Sequence, residues 1–206
     1  MDAMGEDTLN EDIGKLRNAW VAESTCPDIR PFDEDLFADV SEQIQNQQAF
    51  IDKTVTETDE AFTASLYQME IDRVKFSLAR YLRTRLLKVE SQVLHILASP
   101  EQKAKLSPAE LDYAEKYERL VKEHFTHCVL DELPEPFRKF GEADDAGDAL
   151  RPNQDTYVFC RIKEDLGEVQ LDHTMDSRTP LNAGDLQVLR YLPIQALVEN
   201  DEVVLI

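Results

Sequence analysis

The sequence predicts an α+β protein in which an N-terminal helical bundle with one long helix precedes a small C-terminal β-rich domain. Apolar residues recur every three or four positions in the first two thirds of the chain and at strand-like spacing after that. Between the two patterns, Gly141 to Asp155 holds two glycines, one proline and five acidic residues. We therefore predict a helical domain over residues 1–140, an acidic linker over 141–155 and a small β domain over 156–206.

Composition places the chain among soluble globular proteins and argues against binding to nucleic acid. Of the 206 residues, 42% are hydrophobic and 31% are charged, which leaves enough apolar surface for a core. Asp and Glu number 42 against 22 Lys and Arg, so the formal net charge is −20. A surface of that sign repels phosphate backbones, and we expect no autonomous nucleic-acid binding.

The sequence shows no sign of a membrane span or a secretory signal. No run approaches the roughly 18 apolar residues that a span needs, and the acidic start lacks a basic and an apolar region. The three cysteines, Cys26, Cys128 and Cys160, form no CxxC motif. This usage suits a reducing compartment, the nucleus or cytosol, and we predict three buried free thiols.

Capping signals and apolar periodicity predict four helices. The first runs from an N-cap at Asn10 to Ala22, with Trp20 expected in the core. The second begins after Pro31 and continues to Val55. The third, 61–97, has the strongest signal, with no Gly or Pro before Pro100 and an apolar row at Val74, Leu78, Leu82, Leu86, Val93 and Leu97.

The fourth helix starts with Ser107-Pro108-Ala109-Glu110, which combines an N-cap serine, a proline at the first helical position and a capping-box glutamate. The apolar residues that follow predict its buried face, which comprises Leu111, Ala114, Tyr117, Val121 and Phe125.

The C-terminal segment predicts strands around one short helix. Strands are expected at 156–162, 168–171 and 187–191, a helix at 194–199 and a last strand at 203–206. About fifty residues are too few for a comfortable independent core, so this module is expected to dock on another surface. The apolar terminus Val203–Ile206 is expected to lie in a sheet or at a subunit contact.

No residue pattern predicts catalysis, a cofactor site or a metal site. His124, His127 and Cys128 could ligate zinc from one helical face, but no second pair of ligands completes a site, and helix-end packing is the better interpretation. The sequence has no phosphate-binding glycine loop and no GxSxG nucleophile motif. We assign no catalytic, cofactor-binding or metal residue, although scattered catalytic residues can escape such an analysis.

Positive charge is concentrated on the third helix of this acidic chain. Six cations and no acid occur from position 73 to 88, namely Arg73, Lys75, Arg80, Arg83, Arg85 and Lys88. They could pair with partner or neighbouring carboxylates, or form a solvated face partly neutralised by pairs such as Glu70 with Arg73. Contact with nucleic acid is the third and least favoured reading, because of the overall charge.

A further set of short motifs covers nearly the whole chain except residues 1–9 and the linker. They are Trp20, Gln68–Arg73, Tyr81–Glu90, Leu106–Leu111, Tyr157–Phe159 with Arg161, Leu189–Tyr191 with Ile194, Leu197–Val198 and Val204–Ile206. Taken together, these motifs resemble the GINS family of eukaryotic replication proteins, and within it the fourth subunit.

The resemblance implies a nuclear, non-catalytic scaffold subunit. Its partners would be three paralogous GINS subunits, the MCM helicase ring and the Cdc-forty-five factor, and beyond them replicative polymerases and adaptor proteins. We predict partner contacts at Arg80, Arg83 and Arg85 for polar groups, and at Leu189, Tyr191, Leu205 and Ile206 for apolar ones.

The alternatives are a helical regulatory adaptor that binds acidic peptides through the basic helix, and a metal-dependent enzyme using His124, His127 and Cys128.

Overall fold

The chain has a helical region followed by small antiparallel β-sheets, which confirms the α+β class. The computed structural model describes residues 4–54, 61–135, 138, 151–171 and 178–206, with side chains from residue 11 onwards except Thr54. The helices are α1 (Met4–Thr25), α2 (Glu34–Thr54), α3 (Ala61–Ala98), α4 (Pro100–Lys103), α5 (Pro108–Cys128) and α6 (Tyr191–Glu199), with a 3₁₀ turn at Leu130–Glu132.

The strands form two small antiparallel sheets. They are β1 (Tyr157–Ile162), β2 (Gly167–Gln170), β3 (Arg178–Leu181), β4 (Leu186–Arg190) and β5 (Val203–Leu205). The three-stranded sheet has the order β4-β1-β5, and β2 pairs with β3. The predicted terminal strand is therefore confirmed as a sheet strand, since Cys160 of β1 lies opposite Leu205 of β5.

Several elements differ from the prediction, among them α6, which begins at Tyr191 and not at Ile194. Helix α1 begins at Met4 instead of Asn10, because Asn is tolerated inside a helix and no proline precedes it. Pro100 was expected only to mark the end of α3. It is also the first residue of α4, since proline fits the first turn of a helix. Strand β3 was not predicted. It contains Pro180, and a proline in the sequence argues against a strand, although a strand at the edge of a sheet accepts it.

The chain divides into two compact units. The first comprises Met1–Ser24 and Asp33–Thr84. Its core includes Ile51, Ala64 and Ile71, with Ile44 packed against them. Burial of such side chains is the main favourable term in folding, at about 25 cal/mol per Å² of apolar area.

The second unit comprises Thr25–Phe32 and Arg85–Ile206. One core cluster consists of Ile29, Val89, Val93, Ile96 and Ala114. In the C-terminal module, β1 buries alternate residues, as a strand with period two requires. Most of the predicted acidic linker, residues 141–150, lies outside the described residues, so the predicted domain boundaries stay a prediction. Among the described helices, none is long and apolar enough to cross a membrane.

Candidate protein–protein interface

The Arg85 side chain is fully buried and forms an ion pair with Glu110 inside the second unit. Its Nε donates to Glu110 Oε1 at 2.7 Å, and its Nη2 donates to Glu110 Oε2 at 3.0 Å. Further donors reach the carbonyl oxygens of Arg30 at 2.7 Å and Lys105 at 3.1 Å. The prediction that Arg85 contacts a partner is therefore corrected, because this chain itself encloses and satisfies the guanidinium group.

Glu110 reaches Arg85 because the capping box fixes the first turn of α5. The Ser107 hydroxyl accepts from the Glu110 backbone N–H at 3.2 Å, and Glu110 Oε2 accepts from the Ser107 N–H at 2.9 Å. This confirms the predicted helix start. The carboxylate thereby lies on the side of α5 that faces α3, where it can meet the guanidinium group.

Residues 25–32, which we call the strap, connect the C-terminal part of α3 with α6. The Lys88 ammonium donates to the Asp28 carbonyl oxygen at 2.9 Å, and the Gln92 amide donates to the Pro27 carbonyl oxygen at 3.0 Å. The Cys26 thiol donates to the Tyr191 hydroxyl at 3.1 Å. The strap therefore holds α6 through side-chain contacts far apart in sequence.

The Asp28 carboxylate reinforces this connection. Its Oδ2 accepts from the Gln154 amide at 2.9 Å and from the Gln195 amide at 3.4 Å, whereas the buried Oδ1 has no hydrogen-bond partner among the described residues. Burial raises the pKa of the Tyr191 phenol far above its ordinary value. Tyr191 was predicted to dock on a partner, but it lies in the interior of this chain.

An exposed apolar row follows α3 within the first unit. We call Phe62, Leu66, Met69, Arg73, Phe76 and Arg80 the open stripe. Their spacing of four, three, four, three and four residues places them on one face of a helix with 3.6 residues per turn. Phe62 is 74% and Met69 68% exposed, whereas Ala64, Ile71 and Val74 on the opposite side are buried. The helix is thus apolar on two faces, and its own chain covers one of them.

The C-terminal sheet also exposes an apolar face. We call Tyr157, Phe159, Arg161, Leu186, Val188, Arg190, Val204 and Ile206 the outer face. The register places Phe159 opposite Val188 and Arg161 between Leu186 and Val204. Tyr157 and Phe159 are 64% and 63% exposed. Alternate residues of β1, Val158, Cys160 and Ile162, point to the other side and are buried.

The other predicted interface residues lie in different environments. Arg80 and Arg83 are exposed, and Arg80 lies 5.9 Å from the centroid of the Phe76 ring. Ile206 is 40% exposed and Leu189 is half-buried, whereas Leu205 is buried within the chain, which corrects its predicted docking role. Partner contacts by Arg80, Arg83, Leu189 and Ile206 stay predictions.

The six cations of α3 do not form one surface. Arg73 pairs with Glu70 at 3.6 Å, as predicted, and Lys75 donates to Gln48 Oε1 at 3.1 Å. Arg85 is buried, and Lys88 donates to the backbone carbonyl oxygen of Asp28. The basic surface that α3 offers to an acidic peptide is therefore smaller than the six cations suggest, because Arg85 does not belong to it.

The predicted helix-end packing at His124 and Cys128 is looser than expected. Cys128 Sγ lies 3.7 Å from His124 Nδ1, and both residues are exposed. The prediction of a buried thiol is wrong for Cys128, and the predicted burial of Phe125 is also wrong, because the end of α5 faces solvent. Cys26 and Cys160 are buried free thiols, as predicted. Within the described ranges, no group of three or more His, Cys, Asp or Glu residues could hold a metal ion.

Two family models match the chain. The model described as "GINS complex protein helical bundle domain" matches residues 39–128. The model described as "DNA replication complex GINS protein SLD5 C-terminus" matches residues 152–206. The two matches together include α3, α5 and the C-terminal sheet, the elements that carry the open stripe, the buried ion pair and the outer face.

Relatives match the chain over nearly its whole length, and three of them are called "DNA replication complex GINS protein SLD5". The relative from Dictyostelium discoideum is 30% identical over 94% of this chain and 91% of its own length. The relative from Arabidopsis thaliana is 32% identical over 95% and 91%, and the human relative is 29% identical over 97% and 91%.

Proposed function

The chain belongs to the SLD5 family of GINS complex subunits, and from this premise we propose that it acts as a non-catalytic scaffold of a heterotetrameric GINS complex. Membership of the complex implies the other GINS subunits as its partners. In this proposal the assembly works in the nucleus with the MCM helicase ring and the Cdc-forty-five factor. There it supports the initiation and elongation of chromosomal DNA replication.

The open stripe is the observation that supports a scaffold role most directly. A helix of a globular protein buries one apolar face and turns a polar face to water. Helix α3 instead exposes Phe62, Leu66, Met69 and Phe76 in one row opposite its buried row. A row of this kind is suited to the packing of another subunit's helix, which would remove these side chains from water.

Charge on the open stripe adds a polar component to this contact. Arg73 and Arg80 are part of the row, and the Arg80 guanidinium lies over the Phe76 ring. Arginine is favoured at interfaces because its planar group can stack on a ring and still pair with a carboxylate. We therefore expect the partner helix to carry apolar residues flanked by acids.

The test is co-expression of the chain with and without the other three GINS subunits, followed by size-exclusion chromatography with mass determination. The proposal expects one copy of each subunit in a stable complex and aggregation of the lone chain. The double variant Phe62→Ser/Met69→Ser should lose the complex. The control Thr63→Ser changes an exposed residue of the same helix outside the stripe and should retain it.

A lone chain that is a well-behaved monomer and does not bind the other subunits would overturn the scaffold proposal. That outcome would favour the adaptor alternative, in which Arg85 could take no part because it is buried.

A further inference from the structure

Strand β1 is apolar on both of its faces. Val158, Cys160 and Ile162 are buried inside the module, and Tyr157 and Phe159 point to the outer face. Strands that are apolar at nearly every position are typical of sheets covered on both sides. The described residues cover only one side of this sheet, because the outer-face residues of β1 and β4 are all exposed.

The apolar area of the outer face is large for a small module. Six of its eight residues are apolar: Tyr157, Phe159, Leu186, Val188, Val204 and Ile206. Two aromatic rings at this exposure contribute on the order of 250 Å². With the aliphatic residues added, the area reaches the size of the largest patches on soluble monomers, roughly 300–600 Å², which are often functional.

The charge of the outer face is opposite to that of the chain. Its only charged residues are Arg161 and Arg190, whereas the whole chain has a net charge of −20. Arg190 lies 5.8 Å from the centroid of the Tyr157 ring and its Nε donates to the Tyr157 hydroxyl at 3.3 Å, which positions both side chains. Tyrosine and arginine are, with tryptophan, the side chains most enriched among the residues that dominate binding energy at protein interfaces.

Two occupants from this chain fit the outer face poorly. A symmetric contact with a second copy would bring the face against itself, and none of its eight side chains offers a carboxylate to the guanidinium groups. Two chains of charge −20 would also repel each other. The acidic residues 141–150 have carboxylates, but Leu150 is their one large apolar side chain.

We propose that the outer face is the docking site for a segment of another GINS subunit that has an apolar centre and carboxylates at its edge. This rests on the proposed function, and it concerns a surface separate from the open stripe. Permanent interfaces are more apolar than transient ones, and a face with six apolar residues of eight fits a constant component of the complex. Arg161 and Arg190 then pair with the edge carboxylates and fix the register of the segment.

The test is site-specific photo-crosslinking in the assembled complex. Phe159 is replaced by p-benzoyl-phenylalanine, the chain is assembled with the other three GINS subunits, and the irradiated complex is digested for mass spectrometry. We expect a crosslink to one other GINS subunit, in an apolar peptide with Asp or Glu within a few residues. The same replacement at Glu168, an exposed residue of β2, is the control and should give no such product.

Charge reversal tests the polar part of the proposal. Arg161→Glu should lower the yield of the Phe159 crosslink by about tenfold, because a repulsive contact replaces an attractive one. Arg178→Glu, at an exposed position on β3, should leave the yield unchanged.

The outcomes separate this inference from the proposed function. An intact heterotetramer in which Phe159 crosslinks to a second copy, to residues 141–150 or to nothing overturns the docking site and leaves the scaffold role standing. Failure of the unsubstituted chain to form the heterotetramer overturns the scaffold role and the docking site together.

Discussion

Glu110 Oε2 accepts from Arg85 Nη2 at 3.0 Å and from the Ser107 N–H at 2.9 Å, so one oxygen serves both a buried ion pair and a helix cap. The second oxygen accepts from Arg85 Nε at 2.7 Å. These contacts connect α3 to the first turn of α5. A buried charge is tolerated only when it is paired and hydrogen-bonded, and each group here meets that condition through the other.

Replacing Arg85 by methionine should destabilise the chain strongly. The substitution leaves the Glu110 carboxylate buried without its partner, which typically costs about 3–5 kcal/mol. The free energy of unfolding, measured by urea titration of the assembled complex or of the chain, checks this value. Lys116→Met, which removes an exposed ion pair with Asp112, is the control and should have little effect. A similar loss for both variants would contradict the role given to the buried pair.

Removing the Ser107 hydroxyl should cost about 1 kcal/mol, the usual value for an N-cap. Ser107→Ala loses the hydrogen bond to the Glu110 N–H and loosens the carboxylate that pairs with Arg85. The matched control is Ser99→Ala, because Ser99 occupies the N-cap of α4 without a side-chain hydrogen bond. Equal shifts in the urea midpoint for the two variants would rule out the capping-box contribution.

The cap was predictable because its signal is local. Ser107, Pro108 and Glu110 occupy adjacent positions, and the geometry of a helix start determines how they meet. Arg85 was not predictable in the same way, since its partner is 25 residues away. Because Arg85 is one of six cations on α3, the sequence predicted that it lies on an exposed basic surface. Only the packing of α5 against α3 shows that the Arg85 side chain faces inward.

The two apolar rows of α3 show a second limit of sequence reasoning. Periodicity identifies which residues share a face, and Phe62, Leu66 and Met69 share one as clearly as Ile71 and Val74 share another. It does not say which face the chain itself covers. The predicted row at Val74 and Leu78 lies near the buried face, and the exposed row was not predicted because periodicity marks both rows equally. On β1, the apolar character of both Tyr157 and Val158 was the available signal for a second covered face.

Tyr191→Phe should change how the stability depends on pH. Burial raises the pKa of this phenol in the folded state, so its stabilising contribution is fully present below the unfolded-state pKa of about 10 and falls as the pH rises above it. At neutral pH the variant should lose about 1 kcal/mol through the missing Cys26 contact. Above pH 10 the wild type should lose stability faster than the variant, so the difference between them shrinks.

The ultraviolet absorbance of the tyrosines gives an independent measurement. Tyr191 should ionise only when the alkaline chain unfolds, so that step should include one phenol fewer in Tyr191→Phe than in the wild type. In urea both proteins should titrate near the ordinary value of about 10. A stability difference that stays constant from pH 7 to 11 would show that Tyr191 is not the buried group described.

The open stripe should control the solubility of the lone chain. Phe62→Ser/Met69→Ser removes two highly exposed apolar side chains without touching the buried row of α3. The isolated variant should therefore self-associate less than the wild type, which sedimentation velocity at several concentrations would measure. Unchanged self-association would place the aggregation-prone surface elsewhere, with the outer face of the sheet as the next candidate.

Removing Val203–Ile206 should impair assembly more than deleting residues 1–9. The C-terminal deletion removes β5, whose Val203 and Leu205 are buried against the rest of the module, and it leaves the edge of β1 at Cys160 and Ile162 unpaired. Each such side chain contributes about 1.5–3 kcal/mol when buried. The yield of heterotetramer after co-expression measures the effect, and equal yields for the two truncations would contradict the prediction.

A milder variant separates folding from docking at this terminus. Ile206→Ser changes a residue that is 40% exposed on the outer face, while Val203 and Leu205 keep β5 in the sheet. The module should stay folded, as hydrogen exchange of the β1 amides would show, but the Phe159 crosslink should weaken. If the C-terminal deletion reduces assembly and Ile206→Ser leaves the crosslink unchanged, the terminus acts through the stability of the sheet and not through direct contact.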